Sequence, residues 1–241
     1  CTNGMKLNAT KTQALVLGTP AMLRGLPPVA LDFFGTVVPD SRVVKNLGVF
    51  MDNHLSFQPH VDHITSKCTG ILVGLMHAKH VIPKSALITI VQALVTSIVR
   101  YRISVYGTCN ATQLHRVQKL LNFGARVVSG RRKRDHISDV FRELKWLDAH
   151  SLVTYHRLCL VHSAITTGRP DSIACSIGTV QQHMHQTRGS SQRVLPRIHT
   201  ESGRRRLSYS AVQQYNQLPF DTNVRHFRSS LRRHLLSVQH R

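Results

Sequence analysis

Carboxylates are scarce in this chain: 11 Asp and Glu stand against 32 Lys and Arg, a formal net charge of +21 over 241 residues. Internal pairing cannot neutralise such an excess, so an acidic partner is called for, nucleic acid first among them. No two Asp are adjacent anywhere. Two-metal catalysis needs carboxylates that hold divalent ions about 4 Å apart, and the scattered acids give no ground for assigning a catalytic role to Asp32, Asp40 or Asp52. The five Cys, at positions 1, 68, 109, 159 and 175, form no Cys-x-x-Cys pair and leave one over. They read as small buried hydrophobes of an intracellular protein, nuclear or cytoplasmic, rather than as a disulfide framework. Long apolar runs are also missing. The longest, Ala86 to Val99, is broken by Thr89, Gln92, Thr96 and Ser97 and closed by Arg100 and Arg102, too polar for a membrane span. Tryptophan occurs once, at Trp146, and reads as a core anchor. What remains, 41% hydrophobic residues, suffices for a core and for one or two domains.

Periodicity divides the chain. Gln13 to Gly18, Val29 to Phe34 and Val43 to Phe50 read as strands, with Pro20 to Pro28 a loop between the first two. From Val61 onward, Ile64, Cys68, Ile71, Leu72 and Leu75 repeat at helical spacing. Ser56 suits an N-cap and Pro59 the first turn, so a helix is expected from about Phe57. Helices are expected at 57–80, 84–106 and 112–129, parted by Pro83 and by Gly107 to Asn110. Two more are expected at His136 to Leu147 and Ser151 to Thr166. Residues 168–205 read as a long connection, Leu207 to Tyr209 as a short strand, and Val224 to Gln239 as a final helix. The expectation is an α+β fold, predominantly α: a small β unit over 1–54, a helical bundle over 55–130, and a basic, helical and partly irregular region over 131–241.

Cations cluster within this plan. On the helix expected at 112–129, His115, Lys119, Asn122 and Arg126 fall within roughly 60° of arc, opposite Leu114, Val117, Leu121, Ala125 and Val128. Between residues 61 and 130 eight Lys or Arg face one acid, Asp62. The face is a phosphate-contacting surface or a merely solvated one. Arg131, Arg132, Lys133 and Arg134 follow, adjacent cations that repel one another without a nearby anion. Phosphate contact is the leading reading, with a nuclear localisation signal and a solvated loop as the alternatives. Arg204, Arg205 and Arg206 form a further run. His60 with His63, and His183-Met184-His185, lack the Cys or carboxylate partners a zinc site needs, so packing and capping are the better reading of His60. Asn8-Ala9-Thr10 and Asn110-Ala111-Thr112 fit the glycosylation pattern by accident.

Lys45-Asn46-Leu47-Gly48-Val49, then Leu55-Ser56-Phe57 and His60 ahead of a long helix, resemble the part of a non-LTR (LINE-type) retrotransposon reverse transcriptase that follows its catalytic centre. Asn3-Gly4-Met5-Lys6-Leu7-Asn8 with Lys11-Thr12 is similar to the turn that closes that family's palm. Arg206-Leu207-Ser208-Tyr209 and Tyr215-Asn216-Gln217-Leu218-Pro219 extend the resemblance over nearly the whole chain, with Tyr215 where the family usually has Trp. The resemblance implies that residues 1–54 are a palm edge whose Leu47-Gly48 strand belongs to a primer grip, 55–130 a thumb, and 131–241 a post-thumb region. It also implies an element that carries its endonuclease at the N-terminus. The chain then reads as a fragment that holds template and primer, RNA and DNA, beside the N-terminal part of the same polypeptide. The family's Asp-Asp motif and its Mg²⁺ would belong to that part, leaving this chain without a cofactor or catalytic residues of its own. The contacts implied are Lys45, Leu47, Gly48, the 115–126 face and the two arginine-rich runs. The alternative is a domesticated or decayed remnant, a stand-alone basic nucleic-acid-binding protein or a relic without a role.

Overall fold

The computed structural model describes residues 8, 11–27, 29–33, 35–177, 193–220, 222 and 226–239. The 3–7 stretch of the palm-like turn, His183-Met184-His185 and the start of the last expected helix at Val224 lie outside them. The chain is mostly helical (59%) with two small antiparallel two-stranded sheets, an α+β fold in which α predominates. It divides into two compact units, residues 1–102 with 109–120 and residues 103–108 with 121–241.

The first unit opens on an extended segment, not the strand expected at Gln13 to Gly18. Its backbone is held at separate points, by Ser41 N–H on the Ala14 carbonyl (2.8 Å) and Gly18 N–H on the Asn53 carbonyl (3.1 Å). Among the described residues its only bridge to the strand region is a single parallel one, Ala14 with Asp40, because each nearby strand pairs with its own hairpin partner. A short helix, α1 (Pro20–Arg24), stands where a loop was expected, capped by the Thr19 hydroxyl with Pro20 in its first turn. Hairpin β1 (Ala30–Phe33) and β2 (Thr36–Pro39) follows. The strand expected at Val43 to Phe50 is a second hairpin, β3 (Val43–Asn46) and β4 (Val49–Asp52), because Leu47 and Gly48 both have positive φ, 45° and 84°. Positive φ at both central residues is the two-residue turn that matches strand twist. The alternation of apolar residues ran through the turn and hid it.

Helix α2 (Gln58–Ala78) buries Val61, Ile64, Cys68 and Leu72 along one stripe, its three aliphatic side chains each worth about 1.5–3 kcal/mol of burial. It packs on β4 and on the segment 92–100. Its N-cap is Phe57 rather than Ser56. The buried Asp52 carboxylate accepts from Phe57 N–H (2.8 Å) and Ser56 N–H (3.2 Å), while the Ser56 hydroxyl accepts from Gln58 N–H (3.2 Å). The helix expected at 84–106 is segmented into α3 (Lys84–Val91), a π turn (Gln92–Thr96), α4 (Ser97–Arg100) and α5 (Ile103–Tyr106). The break follows from Arg102, whose φ of 56° leaves the helical region. Helix α6 (Ala111–Ser129) begins where the Asn110 side chain accepts from Gln113 N–H (2.9 Å).

In the second unit, α7 (Ser138–Leu144) leads to the buried Trp146, which meets Phe141 edge-on. Helix α8 (Ala149–Thr167) is the hub, burying Leu152, Leu158, Val161 and Ala164. Gly107 lets α5 approach it, since a Cβ there would stand 2.4 Å from Val153 Cγ2. The expected connection contains α9 (Asp171–Ala174) and α10 (Glu201–Arg204). The strand expected at Leu207 to Tyr209 is instead a π turn (Leu207–Ala211) running into α11 (Val212–Asn216). Its short apolar–polar alternation also satisfies a helical repeat, through the half-buried Leu207 and the buried Ala211 and Tyr215. Helix α12 (Phe227–Gln239) closes the unit. It stacks Phe227 on His162 at 3.8 Å and uses Gln239 to accept from Asp148 N–H (3.0 Å).

Candidate nucleic-acid interface

In the first unit the candidate residues stand on two elements. Lys45 is exposed on β3 with its ammonium 5.3 Å from the Phe50 ring centroid, a cation–π geometry. Leu47 and Gly48 form the turn rather than a strand, and the Leu47 carbonyl accepts from the Tyr101 hydroxyl at 2.8 Å. On α6, His115 and Lys119 are exposed, while Val117 and Leu120 are buried. The neighbouring Arg116 is taken up internally by an ion pair with Asp62 at 2.6 Å, which also absorbs the single acid between residues 61 and 130.

In the second unit the later part of α6 leads directly into the Arg131–Arg134 run. Asn122 and Arg126 are half-buried, and one Arg126 amino group reaches the Asp135 carbonyl at 3.5 Å. The structure thereby draws Arg126 to the loop that carries the four adjacent cations. Those four differ in state. Arg131 pairs with Asp139 and donates to the His136 carbonyl at 3.4 Å. The Asp135 carboxylate accepts from Arg132 N–H at 2.7 Å and so shapes the turn. The side chains of Arg132, Lys133 and Arg134 are exposed, and no carboxylate among the described residues pairs with them.

Arg204, Arg205 and Arg206 are exposed at the end of α10. Their backbone is held from below by Arg157 on α8, which donates to the Arg205 carbonyl (3.0 Å) and to the Ser210 hydroxyl (2.7 Å). That hydroxyl in turn bonds the Arg206 carbonyl at 2.9 Å. Burial lowers the pKa of the Arg157 guanidinium, the cost of seating a cation in the packed side of the unit. The sequence reading singled out no role for Arg157, although it is the one Lys or Arg in α8 and follows directly on Tyr155 and His156 in a helix that buries Leu152, Leu158 and Val161. Asp135 and Asp139 were passed over as well, being two acids just downstream of a cationic run.

His60 is buried, its ring centroid 6.5 Å from that of Phe50, and its pKa is lowered by burial and then by His63. Among the described residues no group of three or more His, Cys, Asp or Glu is placed to hold a metal ion. No helix of the described residues is long and apolar enough to cross a membrane. No protein-family model, curated protein or solved structure matches the chain.

Proposed function

We propose that the chain is the palm-edge, thumb and post-thumb part of a non-LTR retrotransposon reverse transcriptase and that it grips template and primer by their phosphates. The observation that carries this reading is the set of exposed cations in each unit left over after internal pairing. Among the described residues only Arg116–Asp62 and Arg131–Asp139 form ion pairs, against a net charge of +21. Lys119 on α6 and the Arg132–Arg134 side chains are the clearest examples. Phosphates are the ligand that relieves such crowding, because each neutralised phosphate releases condensed counterions. The ordered match of the motifs from Asn3 to Pro219 with that family supports the same assignment. Backbone contacts carry little sequence information, so RNA–DNA hybrids of unrelated sequence bind alike.

The test is fluorescence anisotropy of a short RNA–DNA hybrid across a salt series. Replacing Lys119, Arg132, Lys133 and Arg134 by Gln makes the slope of log affinity against log salt shallower by roughly 0.7–0.9 per lost contact. Given primer, template, nucleotides and Mg²⁺, the same preparation incorporates nothing. Unchanged affinity and slope in the variant, or nucleotide incorporation by the wild-type chain, would overturn the reading.

A further inference from the structure

Within the first unit a cleft of about 770 Å³ opens between the extended segment, α1 and the bases of the two hairpins. Backbone hydrogen bonds frame it: Ser41 N–H to Ala14, Gly18 N–H to Asn53, and Asn53 N–H to Arg42 (3.2 Å). Its volume lies in the range of small-molecule sites, commonly 300–1,000 Å³.

The lining is chemically divided. Leu23, Leu26 and Val29 supply an apolar wall, while Arg24 and Arg42 supply two guanidiniums. Asp40 also lines the cleft and offsets part of this charge, but it forms no ion pair with either arginine, so both guanidiniums keep their donors and the lining stays net positive. Arg24 spends its Nε on the Pro20 carbonyl (3.2 Å), which steadies the guanidinium plane. His54 donates its Nδ1–H to the Gly18 carbonyl (3.0 Å), so that the neutral ring offers Nε2 as an acceptor. Asn53, on the same lining, adds an amide that can both donate and accept.

Two guanidiniums match a phosphate dianion through forked hydrogen bonds. An apolar wall beside amide and imidazole groups matches a flat ring with polar edges better than an alkyl chain. We infer that this cleft binds a nucleoside phosphate, as a free mononucleotide or as the phosphorylated end of a strand, with Arg24 and Arg42 on the phosphate. The inference stands on the cleft alone and does not depend on the duplex-gripping surface.

Isothermal titration calorimetry of the whole chain with adenosine monophosphate tests it, with adenosine, octanoate and a 5′-phosphorylated tetranucleotide as the other titrants. Saturable binding of the monophosphate is expected, about tenfold tighter than adenosine and about tenfold weaker in Arg24→Gln or Arg42→Gln, whereas Lys79→Gln leaves it unchanged. Arg42 is exposed and has no side-chain hydrogen bond to a described residue, so Arg42→Gln keeps its circular dichroism and remains informative if Arg24→Gln does not fold. Tighter binding of the monophosphate than of the tetranucleotide assigns the free nucleotide, and the reverse order assigns a strand end. Absence of saturable binding by either overturns the inference. So does adenosine or octanoate binding as tightly as the monophosphate, or an equal loss in Lys79→Gln, which would mark general charge attraction.

Discussion

Leu47 and Gly48 occupy a conformation that one of them suits and the other does not. At φ 84°, Gly48 escapes the clash a Cβ suffers in the left-handed region, and a Cβ there would also stand 3.3 Å from Tyr101 Cε1. Leu47 adopts φ 45° with its side chain 71% exposed, so the strain is not repaid by burial. The Tyr101 hydroxyl on its carbonyl holds the turn in place. Gly48→Ala is therefore expected to cost about 1–2 kcal/mol, while Leu47→Asn, which tolerates positive φ, gains a few tenths to about 1 kcal/mol. Urea unfolding of the three proteins measures both. Equal stability of Gly48→Ala and wild type would mean the turn is not held as described.

At the scale of an element, α2 illustrates how a helix start is decided outside the helix. Burial pushes the Asp52 carboxyl up, but hydrogen bonds from the Ser56 side chain and from the Ser56 and Phe57 N–H groups outweigh it, leaving the pKa lowered. A carboxyl whose folded pKa lies below its unfolded value of about 3.9 adds stability above that value and loses it as pH falls through the folded pKa. Asp52→Ala is expected to cost about 1–2 kcal/mol at pH 7, with the gap to wild type narrowing steadily below pH 4. Chemical denaturation at a series of pH values checks it, and a gap that does not change with pH would assign the loss to packing instead. The helices themselves were legible because a long apolar stripe repeats: Val61, Ile64, Cys68 and Leu72 declare α2 without help, and Val117, Leu121, Ala125 and Val128 declare α6. The cap was not legible, since Asp52 is distant enough in sequence that Ser56 looked sufficient.

For the whole molecule, charge is the dominant property. With +21 net and only two ion pairs among the described residues, like charges repel within the folded chain. The Debye length shrinks from about 30 Å at 0.01 M salt to about 8 Å at 0.15 M, so raising salt should raise Tm by several degrees in scanning calorimetry. A Tm that fell with salt would mean that favourable charge pairs outweigh the repulsion. The sequence by itself determined this charge, the predominance of helix and the positions of α2, α6 and α8, though not the breaks within 84–106, because composition and 3.6-residue periodicity are local and survive without a partner. It also placed the cationic runs, since adjacent arginines need no fold to be seen. Only the tertiary structure decided which cations remain exposed. It spends Arg116 on Asp62 and Arg131 on Asp139, and it sets Arg157 beneath Arg205. It likewise split one expected strand at Leu47-Gly48 and left another, Gln13 to Gly18, as an extended segment walling a cleft. Arg116 with Asp62, Arg157 with the Arg205 carbonyl and Gly18 with Asn53 join residues far apart in the chain, so their outcome is set by which surfaces meet, and no window of neighbouring residues contains that information. The Leu47-Gly48 turn and the Arg131–Asp139 pair are local, but apolar alternation runs through the first and a continuous cationic run masks the second.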